Sequence, residues 1–403
     1  MMHFSLLALG RCLVVFTTAP LAAQAVLVGY ASLPADTFRD GPPSTDQPDG
    51  RFRRAPLQWQ GQPVQGISSL RPVADAAGEQ DGHGYNHSFW ALSDNGFGTR
   101  ANSASYLLCI YRLRFHWKTA SGGSGNVELV ETVELRDPEG RAGFKIRRAD
   151  EPQRRLTGAD FDPESMDVAD DGSFWIGEEF GPYLLHFSPS GILLSPPISA
   201  VVVTSRGEIV VRSPDRPGWR GANLARSRGF EGLAWLPWGR VQLLLEGPLR
   251  GETPDLLRLF EYVPGASRVV STAWRYPLAD PDHAIGELSY WPEREHYLVV
   301  ERDGGHGPQA RFKQVFGWQP TETKRAKWLL ADLLDISDPH RLASDSGRFA
   351  LPYVTIESVQ PMGDRTLLIC NDNNFPATGG RAADRRDETE FVLLQVEFPP
   401  DKP

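Results

Sequence analysis

Phe230-Glu231-Gly232-Leu233-Ala234-Trp235 sets an acid at the head of a short apolar run, and Leu243-Leu244-Leu245-Glu246-Gly247 closes the next run on a second acid. The pair reads as two neighbouring strands joined by a turn. The same phrase returns along the chain. Glu164-Ser165-Met166 leads to Trp175-Ile176-Gly177-Glu178-Glu179, and Glu287-Leu288-Ser289-Tyr290-Trp291 leads to Val299-Val300-Glu301-Arg302-Asp303. Glu357-Ser358-Val359 leads to Leu368-Ile369-Cys370-Asn371-Asp372, and an earlier copy, Gln65-Gly66-Ile67-Ser68-Ser69-Leu70, leads after a longer loop to Ala91-Leu92-Ser93-Asp94-Asn95. Repetition of one strand-turn-strand unit marks a repeat architecture.

Successive units from Glu164 onward start about 55–70 residues apart, which suits four-stranded blades carrying loop insertions. Each shows four short strand-like runs separated by Gly, Pro and Asp turns. Helical periodicity is scarce, and its best stretch, 326–334, reads equally well as a strand. The expected fold is all-β, a β-propeller with five legible blades. Residues 196–228 carry VVV and IVV runs that predict an extra hairpin, and a sixth blade has room there or between the termini. The strand from Val26 to Tyr30 is expected to pair beside 390–397 and close the ring, because closure removes exposed sheet edges. Residues 35–63 and 138–160 read as loops.

The chain has 403 residues, 40% hydrophobic, with a net charge of −9. That balance argues against nucleic acid as a partner. Residues 1–25 read as a signal peptide, with the apolar run Cys12-Leu13-Val14-Val15-Phe16 and Ala23-Gln24-Ala25 as its cleavage site. Residues 26–403 are then expected to form a single propeller domain, exported to the periplasm or the medium, with no membrane span after cleavage. Cys109 and Cys370 lie too far apart for a disulfide framework, and Cys370, in an apolar run, reads as a buried thiol.

In a blade the second strand returns antiparallel beside the first, so the head of one and the end of the other share a face. The repeat therefore brings two sets of polar residues to one mouth of the channel. The inner set is Gln65, Glu164, Glu231, Glu287 and Glu357. The outer set is Asp94, Glu178 or Glu179, Glu246, Glu301, and Asn371 or Asp372. Crowded carboxylates repel one another and raise their own pKa values, so they take up protons, pair with arginines or hold a hard divalent cation. Oxygen ligands favour Ca²⁺, with Mg²⁺ the alternative. Candidate metal ligands are Glu164, Glu231, Glu287, Glu357, Asp94 and Asp372. The competing reading is structural, each glutamate accepting backbone hydrogen bonds from the next blade. His186, His283 and His306 lack zinc spacing and read as packing or surface groups. A nucleophile elbow is absent.

Basic residues follow the same second strands. Candidate catalytic groups are Glu231, Glu287, Glu301, Arg302 and Arg311, and candidate substrate contacts are Arg100, Lys313, Asn373 and Arg385. Guanidinium forks suit phosphate oxygens. The competing reading has these arginines neutralising an acidic mouth.

The chain resembles the secreted bacterial phytase-like family, described as having esterase-like activity of phytase. The resemblance rests on Leu92-Ser-Asp-Asn-Gly-Phe-Gly98, Phe174-Trp-Ile-Gly-Glu-Glu-Phe-Gly-Pro-Tyr183, Gly229-Phe-Glu-Gly-Leu-Ala234 and Val300-Glu-Arg-Asp303. It continues through Ala310-Arg-Phe-Lys313, Thr355-Ile-Glu-Ser-Val359, Asn371-Asp-Asn-Asn-Phe-Pro376 and Asp387-Glu-Thr-Glu-Phe391. The resemblance implies a propeller that hydrolyses phosphate esters or other esters, with a small-molecule ester or phosphoester as substrate. A second expectation stays open beside it: a non-catalytic propeller binding a glycan, peptide or envelope partner through Phe97, Phe180, Tyr183 and Phe375.

Overall fold

The computed structural model describes residues 24–46, 56–73, 87–216, 221–320 and 325–398. The expected signal peptide lies almost wholly outside them. Five inner strands, Ile67–Pro72, Pro163–Val168, Phe230–Leu236, Ala284–Trp291 and Thr355–Pro361, follow one another round a channel, each neighbouring the next and the last returning to the first. Each begins an antiparallel sheet that runs outward, and the blades are numbered here from one to five in that order. Blade three, for example, continues through Arg240–Leu245, Leu256–Tyr262 and Val269–Pro277.

The expected closure holds. Val26–Leu33 pairs antiparallel with Thr389–Gln395 and completes blade five. Residues 196–228 supply a hairpin, Ile198–Thr204 with Gly207–Val210, and not a sixth blade. Its first strand also pairs parallel to Val269–Pro277, joining the rims of blades two and three. The ambiguous stretch at 326–334 falls on the outer strand Arg325–Asp332 of blade four. Both described cysteines, Cys109 and Cys370, are free and buried.

A blade is covered on both faces, so its middle strands must be apolar at consecutive positions. Leu243 packs toward blade two and Leu244 toward blade four, which accounts for the unbroken leucine run. The five apolar clusters correspond to the five gaps between adjacent blades. Outer strands, such as Asn126–Glu134, alternate between exposed and sheltered residues.

One end of the channel is sealed by Arg71. Its guanidinium lies 3.2 Å from Asp167 of blade two and 3.2 Å from Glu287 of blade four, and it donates to the Leu233 carbonyl of blade three at 2.8 Å. One buried cation thus ties four blades together. Arg71→Met is expected to cost about 3–5 kcal/mol, because Asp167, Glu287 and the Leu233 carbonyl lose the buried donor they share. Removing both charges in Arg71→Met/Glu287→Leu is expected to recover most of that loss, as read from urea midpoints.

Candidate functional site

The other end of the channel is built by a bulge repeated in every inner strand. The register between first and second strands skips Ser68, Glu164, Glu231, Gly286 and Glu357 in blades one to five. A bulged residue leaves the ladder and is re-aimed. In three blades that residue is a glutamate. The residues opposite the heads of these bulges are Ser93, Glu178, Leu245, Glu301 and Asn371. The residues that follow them, Asp94, Glu179, Glu246, Arg302 and Asp372, line a cavity of about 240 Å³ together with Glu164, Glu231 and Glu357. Asp162, Asn95, Thr355, Asn374 and Arg228 also line it.

The cavity therefore holds eight carboxyl groups against two arginines. Burial, reinforced by neighbouring carboxylates, holds Asp94, Glu164, Glu179, Glu231 and Glu357 well above the usual carboxylate range. Burial pushes Asp162 and Asp372 up to about 6. The arginines crowd one wall. Arg302 Nη2 lies 3.1 Å from Glu246 Oε1, 3.8 Å from Glu231 and 4.0 Å from Glu357, and Arg228 pairs with Glu246 Oε2.

Three groups of carboxylates bring oxygens within 4.8 Å of one another: Asp162 with Glu164 and Glu179, Glu164 with Glu231 and Glu357, and Glu179 with Glu231 and Glu246. Asp162 Oδ1 is buried and has no hydrogen-bond partner among the described residues. An all-oxygen donor set of this kind, with an unsatisfied buried oxygen among it, fits a hard divalent cation.

A profile of the phytase-like family, described as esterase-like activity of phytase, matches residues 62–375. The chain belongs to this family. An uncharacterized secreted protein of Arthroderma benhamiae is 23% identical over 319 residues, covering 63% of this chain and 62% of its own length. The phytase-like chain thus spans less than two thirds of that relative. Among solved structures, the PQQ-bound aldose sugar dehydrogenase of Streptomyces coelicolor is 13% identical, with a TM-score of 0.38 over 93% of this chain and all of that one. Virginiamycin B lyase of Staphylococcus aureus is 8% identical, with a TM-score of 0.33 over 83% of this chain and 96% of that one.

Several residues singled out in the sequence lie away from the phytase-like cavity. Glu287 sits one position past the bulge and points to the Arg71 seal, where burial pushes it up to about 8. The bulge position itself is Gly286, where a Cβ would stand 1.9 Å from the Ile356 carbonyl oxygen, so blade four has no room there for an acid. Gln65 lies outside the bulge ring and donates to the Gly96 carbonyl at 2.8 Å. Glu301 precedes the cavity position and faces the other side of its sheet, as alternation requires. There it accepts from the Ala279 amide at 2.7 Å and Tyr276 at 3.0 Å, and bonds His283 and Lys327.

Arg311 turns back to the Pro308 and Ala310 carbonyls, and Arg100 donates to the Ala159 carbonyl at 2.7 Å. Lys313 is buried behind the wall, 2.9 Å from Asp303 and donating to the Val354 carbonyl, and burial lowers it to about 8. Asn373 is buried between the Gly66 amide and the Asp387 carbonyl, and Arg385 is exposed on an outer loop. Asp94 and Asp372 line the cavity but join none of the three tight groups.

Sequence reasoning passed over Asp162 and Arg228. Asp162 has a weak signal, standing two residues before Glu164 where blade five has Thr355. The loop aromatics expected to contact a partner are themselves buried: Phe97 stacks on Trp59, and Phe375 packs against Trp59 and Phe38. Phe180 and Tyr183 are buried beneath Arg100 and Arg216.

Proposed function

We propose that this phytase-like propeller is an exported hydrolase of phosphate esters or related anionic esters, working with calcium in the acidic cavity. The observation that carries this reading is the convergence of carboxylates from blades two, three and five on one small space, with Asp162 Oδ1 left unpaired. Export is supported by the signal-like residues 1–25 and by the secreted relative, and among the described residues no helix is long and apolar enough to cross a membrane. Residues 26–403 are then the mature propeller.

Glu164, Glu179, Glu231, Glu357 and Asp162 would hold the cation. Bound there, calcium supplies Lewis-acid polarisation of the ester and a more acidic water. Arg302, 3.1 Å from Glu246 and 3.8 Å from Glu231, gives this wall, with Arg228, the positive charge that developing phosphoryl oxygens need. The Arg228 side chain is 42% exposed and so is open to an anionic substrate arriving from solvent. Asp94 and Asp372, outside the three groups, are the carboxyls left to carry a proton to the leaving oxygen. Glu287, Glu301, Arg311, Arg100, Lys313, Asn373 and Arg385 have no part in it, since their side chains lie elsewhere.

Initial rates on p-nitrophenyl phosphate, phytate, a carboxyl ester and a lactone test the proposal. At least one activity is expected, abolished by excess EGTA and restored by Ca²⁺. Full activity persisting in excess chelator contradicts it.

A further inference from the structure

The three carboxylate groups are not equivalent, and their differences bear on how many cations the cavity takes. Among the described residues the first group, Asp162–Glu164–Glu179, has no arginine as an ion-pair partner, and it contains the buried Asp162 Oδ1 that no described donor reaches. Glu179 spends Oε1 on the Gly229 amide at 3.0 Å and keeps its other oxygen. In the second, Glu164–Glu231–Glu357, Glu357 Oε2 accepts from the Ser68 hydroxyl, and Arg302 stands off at 3.8 and 4.0 Å from Glu231 and Glu357. In the third, Glu179–Glu231–Glu246, both oxygens of Glu246 are taken, Oε1 by Arg302 and Oε2 by Arg228.

We infer that the cavity binds two divalent cations, one in each of the first two groups, bridged by the Glu164 carboxylate they share, and that Arg302 with Arg228 occupies the place of a third. This rests on the reading of the cavity as a cation site and adds its stoichiometry and its arrangement.

The dimensions agree. Oxygens held around one Ca²⁺ at about 2.3–2.6 Å stand at most about 5 Å apart, and the oxygens of each group lie within 4.8 Å. A single carboxylate common to two groups is also how paired divalent ions at about 3.5–4 Å are usually joined. The guanidinium of Arg302 is a fixed charge that needs no desolvation of an incoming ion. Blade four is where the repeat changes sign, with Gly286 in the bulge and Arg302 at the end of its second strand.

Equilibrium dialysis of chelator-stripped, full-length protein against micromolar free Ca²⁺, with bound metal counted by mass spectrometry, tests this. Two ions per chain are expected. Asp162→Asn is expected to drop the count to one by removing the first site, and Glu357→Gln to drop it to one by weakening the second. Arg302→Met, which frees Glu246 Oε1, is expected to raise it to three. One ion in the unmodified protein overturns the pair and leaves a single calcium site standing. No ion overturns both this inference and the calcium reading beneath it. An Arg302→Met protein that still binds two overturns the role given to the arginine. The count on the unmodified chain depends on no variant folding, and circular dichroism melts of the three variants show whether each comparison is between folded proteins.

Discussion

Glu164→Gln is expected to raise the melting temperature of the chelated protein while removing most of the stabilisation that calcium confers. The two effects have one cause. Without metal, Glu164 faces Asp162, Glu231, Glu357 and Glu179, and burial together with their fields holds its proton on. An amide of the same shape ends that conflict, so the stripped protein gains stability. With metal, the loss is large because Glu164 is common to two of the three carboxylate groups. Each ion bound at a thousandfold excess over its Kd stabilises the native state by about 4 kcal/mol. Hydrolysis is expected to fall by more than about 100-fold, the upper range for losing a group that merely supports a metal ligand. Differential scanning calorimetry with EGTA and with Ca²⁺ separates the two signs. A variant that melts lower than the parent in EGTA and responds equally to Ca²⁺ would show that Glu164 is an ordinary structural acid.

The second large effect is a pH dependence that calcium flattens. Asp162 and Asp372 rise to about 6, and Glu178 and Glu287 to about 8, burial being the leading cause in each. Unfolded, these groups return to about 4. The native state therefore binds more protons than the unfolded chain between about pH 4 and 8, and stability must fall as pH rises through that window. The contribution of these acids is complete below their unfolded values and is lost as pH passes first 6 and then 8. An upward shift of two units corresponds to on the order of 3 kcal/mol. Half-buried pairs such as Glu151 with Arg148 and Arg155, whose acid is held low, act in the opposite sense at the acid end. The chelated protein is thus expected to be most stable near pH 5 and to lose several degrees of melting temperature by pH 8. Calcium replaces the protons of the cavity acids and not those of Glu178 and Glu287, so its stabilisation should grow with pH and flatten the part of the profile that Asp162 and Asp372 set. A chelated protein that becomes more stable from pH 5 to 8 would contradict the crowding of buried acids on which this rests.

Much of this was legible in the sequence because the repeat is tied to geometry. The head-to-end phrase fixed two antiparallel strands per blade, and the outer runs supplied the rest. Val26–Leu33 was recognisable as the closing strand because an edge in blade five had to be covered. The site was legible to within one residue, and that one residue mattered. Aligned on their acids, Glu231 and Glu287 look equivalent. Aligned on the apolar pair that enters the two gaps, Phe230-Glu231-Gly232-Leu233 matches Ile285-Gly286-Glu287-Leu288, and Glu287 falls on the far side of the bulge. A bulge shifts the period by one, and nothing in composition announces it. The same slip exchanged Glu301 for Arg302 as the residue facing the cavity. Asp162 and Arg228 were missed because each belongs to a loop that approaches the mouth from outside the repeated phrase.

The most direct test is anomalous diffraction from crystals grown or soaked with calcium, or with a lanthanide in its place. The predicted result is density between Asp162, Glu164 and Glu179 and between Glu164, Glu231 and Glu357, with Arg302 still on Glu246. A map with no metal in the cavity, and the carboxylates closed on one another or on Arg302, would contradict the account.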